Sequence, residues 1–230
     1  KKFEQIPGSP IGYWVSDAYI DIFKEKTLND ISIIRQGMAS GDTKRFVRLW
    51  FEIDNQDMDY TCESFVDACN SIKRWKPFNK GGEFRKWYGN LEYVVAFNKN
   101  DIGILSGMGN HLPSKEFYFK RGITWSAISS SHFSAREHVV GEIFSNAGMV
   151  CIVDKSIFKI VIALLNSKIL YIIMKVLSPT LNFNAGDVKR IPFGKIKNYD
   201  RISLLSDYCI MLSRQDWDAH ETSWDFKENE

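Results

Sequence analysis

Cysteine and histidine are scarce in this 230-residue chain, four of each. Cys62, Cys69, Cys151 and Cys209 show no paired spacing, which excludes a disulfide framework or a thiolate zinc site and suits a reduced, cytoplasmic setting. Cys62 and Cys69, seven apart, fall on one side of a possible helix and read as buried thiols. His111, His132, His138 and His220 are scattered and form no metal-ligand pattern. The acidic run 54–59 lacks the glycine and final glutamate of a calcium loop and reads as a solvated connection. Nucleotide-binding and hydrolytic signatures are missing as well: no GxxxxGK, no GxGxxG behind a strand, no GxSxG elbow, no HExxH helix. Without a Glu-x-Lys triplet the simplest nuclease is removed. Without an Asn/Asp-Pro-Pro-Tyr/Phe segment there is no grip of the kind that amino-methylating enzymes keep on an extruded base. No secretory signal, internal repeat or low-complexity tract is visible. No apolar run reaches the roughly 20 residues of a membrane span, because Lys159, Lys168 and Lys175 interrupt the most apolar segment, 155–177. These absences leave a binding module rather than a catalyst.

With 44% apolar residues the chain can bury a real core, as one large domain or two small ones. Its net charge is only +2, so global charge names no polyanionic partner. The distribution says more. Residues 1–70 carry 8 basic and 12 acidic side chains, residues 71–120 carry 9 and 4, residues 121–200 carry 10 and 5, and residues 201–230 carry 3 and 7. A basic middle between acidic ends suits a molecule with one charged face, although such asymmetry also arises without a ligand.

The densest feature runs from Lys73 to Tyr88, where six Lys or Arg and five aromatics accompany a single acid. Cations neutralise phosphates, aromatics stack on bases or pack on sugars, and Gly81-Gly82 lets backbone approach a phosphate. A Trp/Phe-rich edge of the core with lysines reaching outward would have the same composition.

Along the chain, Ile6 to Pro10 is turn-rich and the periodicity from Tyr13 to Phe23 predicts a short helix. Ile31 to Ile34 reads as a buried strand. Gln36 to Thr43 follows as a loop whose two glycines can adopt positive φ and present backbone amides. Arg45 to Ile53 alternates as a half-buried strand. Glu92 to Phe97 is a strand, and Asn98 to Asn110, rich in Asn and Gly, a loop. Ser126 to Ser134 holds five serines, whose hydroxyls could serve phosphates or local turns equally. Gly148 to Val153 is a strand and Lys155 to Leu177 a buried helix, ended by Ser178-Pro179. Asn182 to Val188 is a second polar loop. A last helix starts near Tyr199, with Ile202, Leu205, Cys209 and Leu212 on one face, and leads to an acidic tail bearing Trp217, Trp224 and Phe226. The fold class is mixed α+β: a twisted sheet with strands mostly in the first two thirds, then packed helices.

From Arg74 through Lys80-Gly81-Gly82 to Asn90 the sequence resembles PglX, the family of adenine-specific DNA methyltransferases of BREX phage-defence systems. The likeness continues at Pro7 to Ser16, at Arg35-Gln36-Gly37-Met38-Ala39-Ser40-Gly41-Asp42-Thr43-Lys44-Arg45-Phe46, and at Gly122 to Ser126. It is found again at Phe133 to Arg136, Leu164 to Lys168, Pro179 to Phe183, and from Asp216 to Phe226. More distantly, the chain is similar to recognition domains of single-chain restriction–methylation enzymes and of Type I specificity subunits. The resemblance implies a parent that transfers a methyl group from S-adenosylmethionine to adenine N6. The cofactor site and Asn-Pro-Pro-Tyr motif would belong to a catalytic domain preceding Lys1, and Lys1 to Gln5 reads as a cut into a longer polypeptide. It further implies a linker and short helix over 1–30, a target recognition domain over 31–195, and a helix with acidic tail over 196–230 leading to a helical region.

The expected partner is double-stranded DNA, with other phage-defence proteins as further partners, and no cofactor bound by this segment itself. Lys73, Arg74, Lys76, Lys80, Arg85 and Lys86 are candidates for backbone neutralisation, with Trp75, Trp87 and Tyr88 packing on sugar or beneath it. Gln36, Arg45, Arg136, Asn182 and Asn184 supply the amides and guanidinium forks that read base edges. The rival expectation is a protein-docking module without DNA reading, motivated by Trp217, Trp224 and Phe226, since aromatics anchor interfaces.

Overall fold

The computed structural model describes residues 21–109, 112–178 and 180–227. The turn-rich stretch 6–10, most of the helix expected over 13–23, and His111 lie outside them. Eight strands are present among the described residues: β1 (Ser32–Arg35), β2 (Val47–Leu49), β3 (Trp75–Asn79), β4 (Tyr93–Ala96), β5 (Gly122–Ser126), β6 (Ala135–His138), β7 (Ile143–Phe144) and β8 (Gly148–Val153). They form two four-stranded sheets, in the orders β1-β8-β5-β6 and β2-β4-β3-β7. Every pairing is antiparallel except that of β3 with β7. The helices are α1 (Leu28–Ile31), α2 (Thr43–Phe46), α3 (Phe65–Asn70), α4 (Lys99–Gly107), α5 (Phe158–Asn166), α6 (Lys168–Leu177), α7 (Ala185–Lys189) and α8 (Tyr199–Asp218). As expected, this is a mixed α/β fold with its strands early and its longer helices late.

Alternation along β8 explains the layering. Met149 and Cys151 point into one core, shared with α5, α6 and α7, while Val150 and Ile152 point into another, shared with the second sheet. The first sheet is therefore covered on both faces. Between the sheets runs a polar seam: Asn79 Nδ2 donates to Thr124 Oγ1 at 2.6 Å, and Thr124 Oγ1 donates to the Met149 carbonyl.

Several stretches depart from the sequence reading, among them β3 within the basic–aromatic stretch and α7 within the second polar loop. Residues 98–110 carry α4 rather than a plain loop, because Asn98 Oδ1 accepts from Asp101 N at 3.0 Å and caps the helix start. Over 45–53 only Val47 to Leu49 is strand; α2 precedes it and a 3₁₀ turn, Trp50–Glu52, follows. The apolar segment is two helices bent by 71° rather than one. Asn166 is the reason. Its amide accepts from Ala135 N at 3.0 Å and donates to Ala135 O at 2.9 Å, continuing the edge of β6, and Ser167 Oγ then caps α6 by accepting from Leu170 N. No single helix among the described residues is long and apolar enough to cross a membrane.

Candidate nucleic-acid interface

Strand register divides the expected site residues between the two ends of the sheets. Arg35 pairs with Val150 and Ser126 with Gly148 at one end of the first sheet, whereas Ser32 pairs with Val153 and Gly122 with His138 at the other. The Gln36 loop, the serine loop after β5 and the turn before β8 therefore share the first end. Asn79, where β3 leaves the second sheet, joins them through its contact with Thr124 and through the Ser145 N to Asn79 O bond. Trp75, at the opposite end of β3, pairs with Ala96.

Much of the basic–aromatic stretch is internal. Trp75 and Tyr88 are buried, and Lys76 is 0% exposed. Its ammonium donates to the Lys73 carbonyl at 2.5 Å and lies 3.7 Å from the Asp59 carboxylate. Burial pushes the Lys76 pKa down. Burial would likewise raise Asp59, but hydrogen bonds from Ser71, Thr61 and Cys62 more than offset it and hold the carboxyl well below the usual range. The acidic run 54–59 is thus no simple solvated connection, since its last member is a buried counter-ion. Arg74 is held by a bidentate pair with the buried Asp101, both bonds 3.0 Å. Arg85 lies over the Trp217 ring, donates to the Tyr88 carbonyl and pairs with Asp216, tying the stretch to α8. Lys86 Nζ donates to the Asn166 carbonyl at 2.9 Å. Trp87, at φ 72, is clamped between Ala135 O and Glu137 N and packs on the first core.

Arg136 is also internal, at 1% exposure. Its Nη2 reaches Gly81 O and Ser126 Oγ at 3.3 and 3.4 Å, while Nε and Nη1 make no hydrogen bond. Burial pushes its pKa down to about 10, partly offset by the Glu142 charge. Lys76, Trp75, Tyr88 and Arg136 therefore have no group facing outward with which to touch DNA in this conformation; their surroundings explain them as parts of the interior.

Other expected residues do face outward. Gln36, Arg45, Lys73, Asn182 and Asn184 are exposed and Lys80 is partly so. Lys73 Nζ donates to Met58 O, and Arg45 precedes β2 with its guanidinium over Phe46. Both belong away from the Gln36 end. Asn182 forms an isolated bridge with Ile128, so the second polar loop lies beside the serine loop.

Around that bridge the fold assembles a row of side chains from three separate motifs. The Phe84 ring, from the basic–aromatic stretch, meets the His132 ring of the serine loop edge-on at 5.1 Å. His132 meets Tyr171 of α6 at 5.2 Å, and Lys175 Nζ sits 4.4 Å from the Tyr171 ring centre. Beneath the row is a cleft of about 210 Å³ floored by Phe133, Met174 and Phe183, with Ser131 and Thr180 at its sides. One lysine and no carboxylate lines it. The sequence reading passed over Phe84, His132, Tyr171 and Lys175. A usable signal existed: Lys168, Tyr171 and Lys175, at i, i+3 and i+7, mark the outward stripe of an otherwise apolar segment.

No family model matches this chain. Two curated proteins are similar over nearly all of it. The adenine-specific methyltransferase PglX of Lacticaseibacillus casei (strain Zhang) is 35% identical over 240 residues, covering 99% of this chain and 20% of that protein. The adenine-specific methyltransferase BrxX of Escherichia coli O9:H4 (strain HS) is 34% identical over 231 residues, covering 99% and 18%. This chain is homologous to a segment of the PglX type. It spans about a fifth of the length of these relatives.

Several PglX-like motifs have work inside the fold. Gly37 is required by close approach, not by positive φ: a Cβ there would stand 1.9 Å from the Phe144 carbonyl oxygen. Gly41 does take φ +60, and Asp42 accepts from Arg45 N at 3.1 Å to start α2. At Gly81, φ +81, a Cβ would meet Ala147 O at 2.7 Å, so the expected phosphate approach is filled by the chain's own backbone. The aromatics of the acidic tail fold back too: Trp217 is buried with Tyr88 and Leu91, and Trp224 packs on Tyr60.

Proposed function

We propose that this chain is the DNA target recognition domain of a BREX adenine-N6 DNA methyltransferase, binding double-stranded DNA and setting the sequence that is methylated. One observation carries the reading. Three motifs distant in sequence meet at one sheet end, where they present exposed amides, an aromatic row and lysine, with no carboxylate lining the cleft between them. Gln36, Asn182 and Asn184 are the base-edge readers in this proposal, since amides match the adenine edge in the major groove. Lys80, Lys86 and Lys175 neutralise phosphates. S-adenosylmethionine would be held by another part of the methyltransferase.

The test is to sequence methylated adenines in cells carrying the full-length methyltransferase. Replacing Gln36, Asn182 and Asn184 together relaxes the methylated word, by roughly 1–3 kcal/mol of discrimination for each bidentate pair lost. An unchanged word and rate would remove these loops from recognition.

A protein-docking role has its own observation, and it is not the tail aromatics. Along α8, Leu204, Leu205, Tyr208, Met211 and Leu212 are all exposed, Leu204 at 70%. Such a stripe suits a helix or sheet face of another protein or of the same methyltransferase.

A further inference from the structure

We infer that the cleft beneath Tyr171 and His132 accepts an unstacked nucleobase from the bound DNA, an inference that rests on the DNA-recognition reading above. Its floor is apolar and aromatic: Phe133 and Phe183 pack edge-on at 5.4 Å, with Met174 beside them. These rings are themselves buried, yet the side chains above them are not, since Tyr171 is 43% and Leu181 53% exposed. A floor of this kind gains from covering a flat, poorly hydrated ring. The walls are polar in a particular way. Ser131 Oγ lies 3.1 Å from His132 Nδ1, Thr180 carries a second hydroxyl, and the Lys175 ammonium stands over the Tyr171 face. Hydroxyls and imidazole can meet the hydrogen-bonding edge of a base, and the ammonium can meet the phosphate that a base brings with it.

The hydroxyls already have partners within the protein, Ser131 with His132 and Thr180 with Asn182, but an apolar peptide side chain would offer nothing to the imidazole or to the exposed Lys175 ammonium, so a nucleobase with its phosphate matches more of the lining. Extruding a base for methylation loosens the surrounding stack, and a second surface that takes up an unstacked base offsets part of that loss. The cleft is lined by Thr180, Leu181 and Phe183, which flank the exposed Asn182, so recognition and base capture would share one end of the sheet.

The test uses the intact protein and two DNA duplexes of one mixed sequence, fully paired or carrying a single unpaired 2-aminopurine. Wild-type protein binds the second more tightly by roughly five- to hundredfold, the range that stacking one base on aromatic side chains produces, and quenches the 2-aminopurine fluorescence. Tyr171→Ala and, as a variant keeping bulk, Tyr171→Leu both lose the preference and the quenching. Ile72→Ala, at an exposed position just before β3 and outside the cleft, keeps both. Salt-dependent binding of both duplexes without preference or quenching overturns the base-capture inference and leaves DNA recognition standing. Failure of either duplex to bind overturns the DNA reading, and the inference with it. Preference and quenching that survive both Tyr171 variants place base capture elsewhere and overturn the assignment of this cleft.

Discussion

Asp59→Ala unfolds this domain far more easily than Lys76→Met, and the difference measures whether Lys76 belongs to the interior or to a DNA-facing surface. In the wild-type structure the Lys76 ammonium is fully buried beside Asp59. Removing Asp59 strips that ammonium of its counter-charge and also leaves Ser71, Thr61 and Cys62 without their common acceptor. Breaking a buried pair from one side costs about 3–5 kcal/mol. For a chain of this size each kcal/mol moves the melting temperature by about 2–4 °C, so the loss is roughly 6–20 °C. Lys76→Met removes the buried cation itself, and Asp59 keeps its hydrogen bonds from Ser71, Thr61 and Cys62. Its cost should stay below about 2 kcal/mol. Chemical and thermal denaturation of the two variants at pH 7 give both numbers. Because the Asp59 pKa is lowered on folding, its contribution is complete above the unfolded carboxylate pKa near 4 and fades as pH falls below it. Asp59→Ala therefore shows a shallower acid destabilisation than wild type. Equal losses for the two variants, or a larger loss for Lys76→Met, would refute the reasoning.

Three further outcomes follow from local geometry. Gly37→Ala forces a methyl group onto the Phe144 carbonyl and lowers stability by roughly 1–3 kcal/mol or more, read by urea titration. Arg85→Ala releases α8 from the domain, losing the Asp216 pair, the Tyr88 carbonyl bond and the Trp217 contact. The cost is about 1–2 kcal/mol after allowance for the exposed aspartate, and hydrogen exchange rises along α8 before the sheets. Asn166→Ala removes two bonds to Ala135 and leaves its buried N–H unpaired, while its carbonyl keeps the bond from Trp87 N, for a loss of about 1–3 kcal/mol seen as a lower denaturation midpoint.

The strand reading survived wherever alternation and turn residues agreed, as at Glu92 to Phe97 and Gly148 to Val153. It missed β3 because Trp75-Lys76-Pro77-Phe78-Asn79 looks like a surface: its lysine is buried only because Asp59 arrives from a loop seventeen residues earlier, and proline sits unexpectedly in a strand. Neither fact has a local signal. The bend at Asn166 was hidden for a similar reason, since the amide's partner is Ala135, thirty-one residues away. Of the candidate site, the outward amides Gln36, Asn182 and Asn184 were legible from polar loop chemistry, and Lys80 from composition. The aromatic row was not. Phe84, His132 and Tyr171 belong to three segments that only the strand register and the α5–α6 bend bring together.

The central claim, DNA binding at this sheet end, is tested most directly by the salt dependence of duplex affinity for wild type and for Lys80, Lys86 and Lys175 replaced together by alanine. Each genuine phosphate contact contributes about 0.9 to the slope of log affinity against log salt. The account predicts salt-dependent binding whose slope flattens by about 2–3 in the triple variant, equally on all sequences. A fold that stays intact while the slope and affinity remain unchanged, or a wild-type protein with no salt-dependent duplex binding, would contradict it.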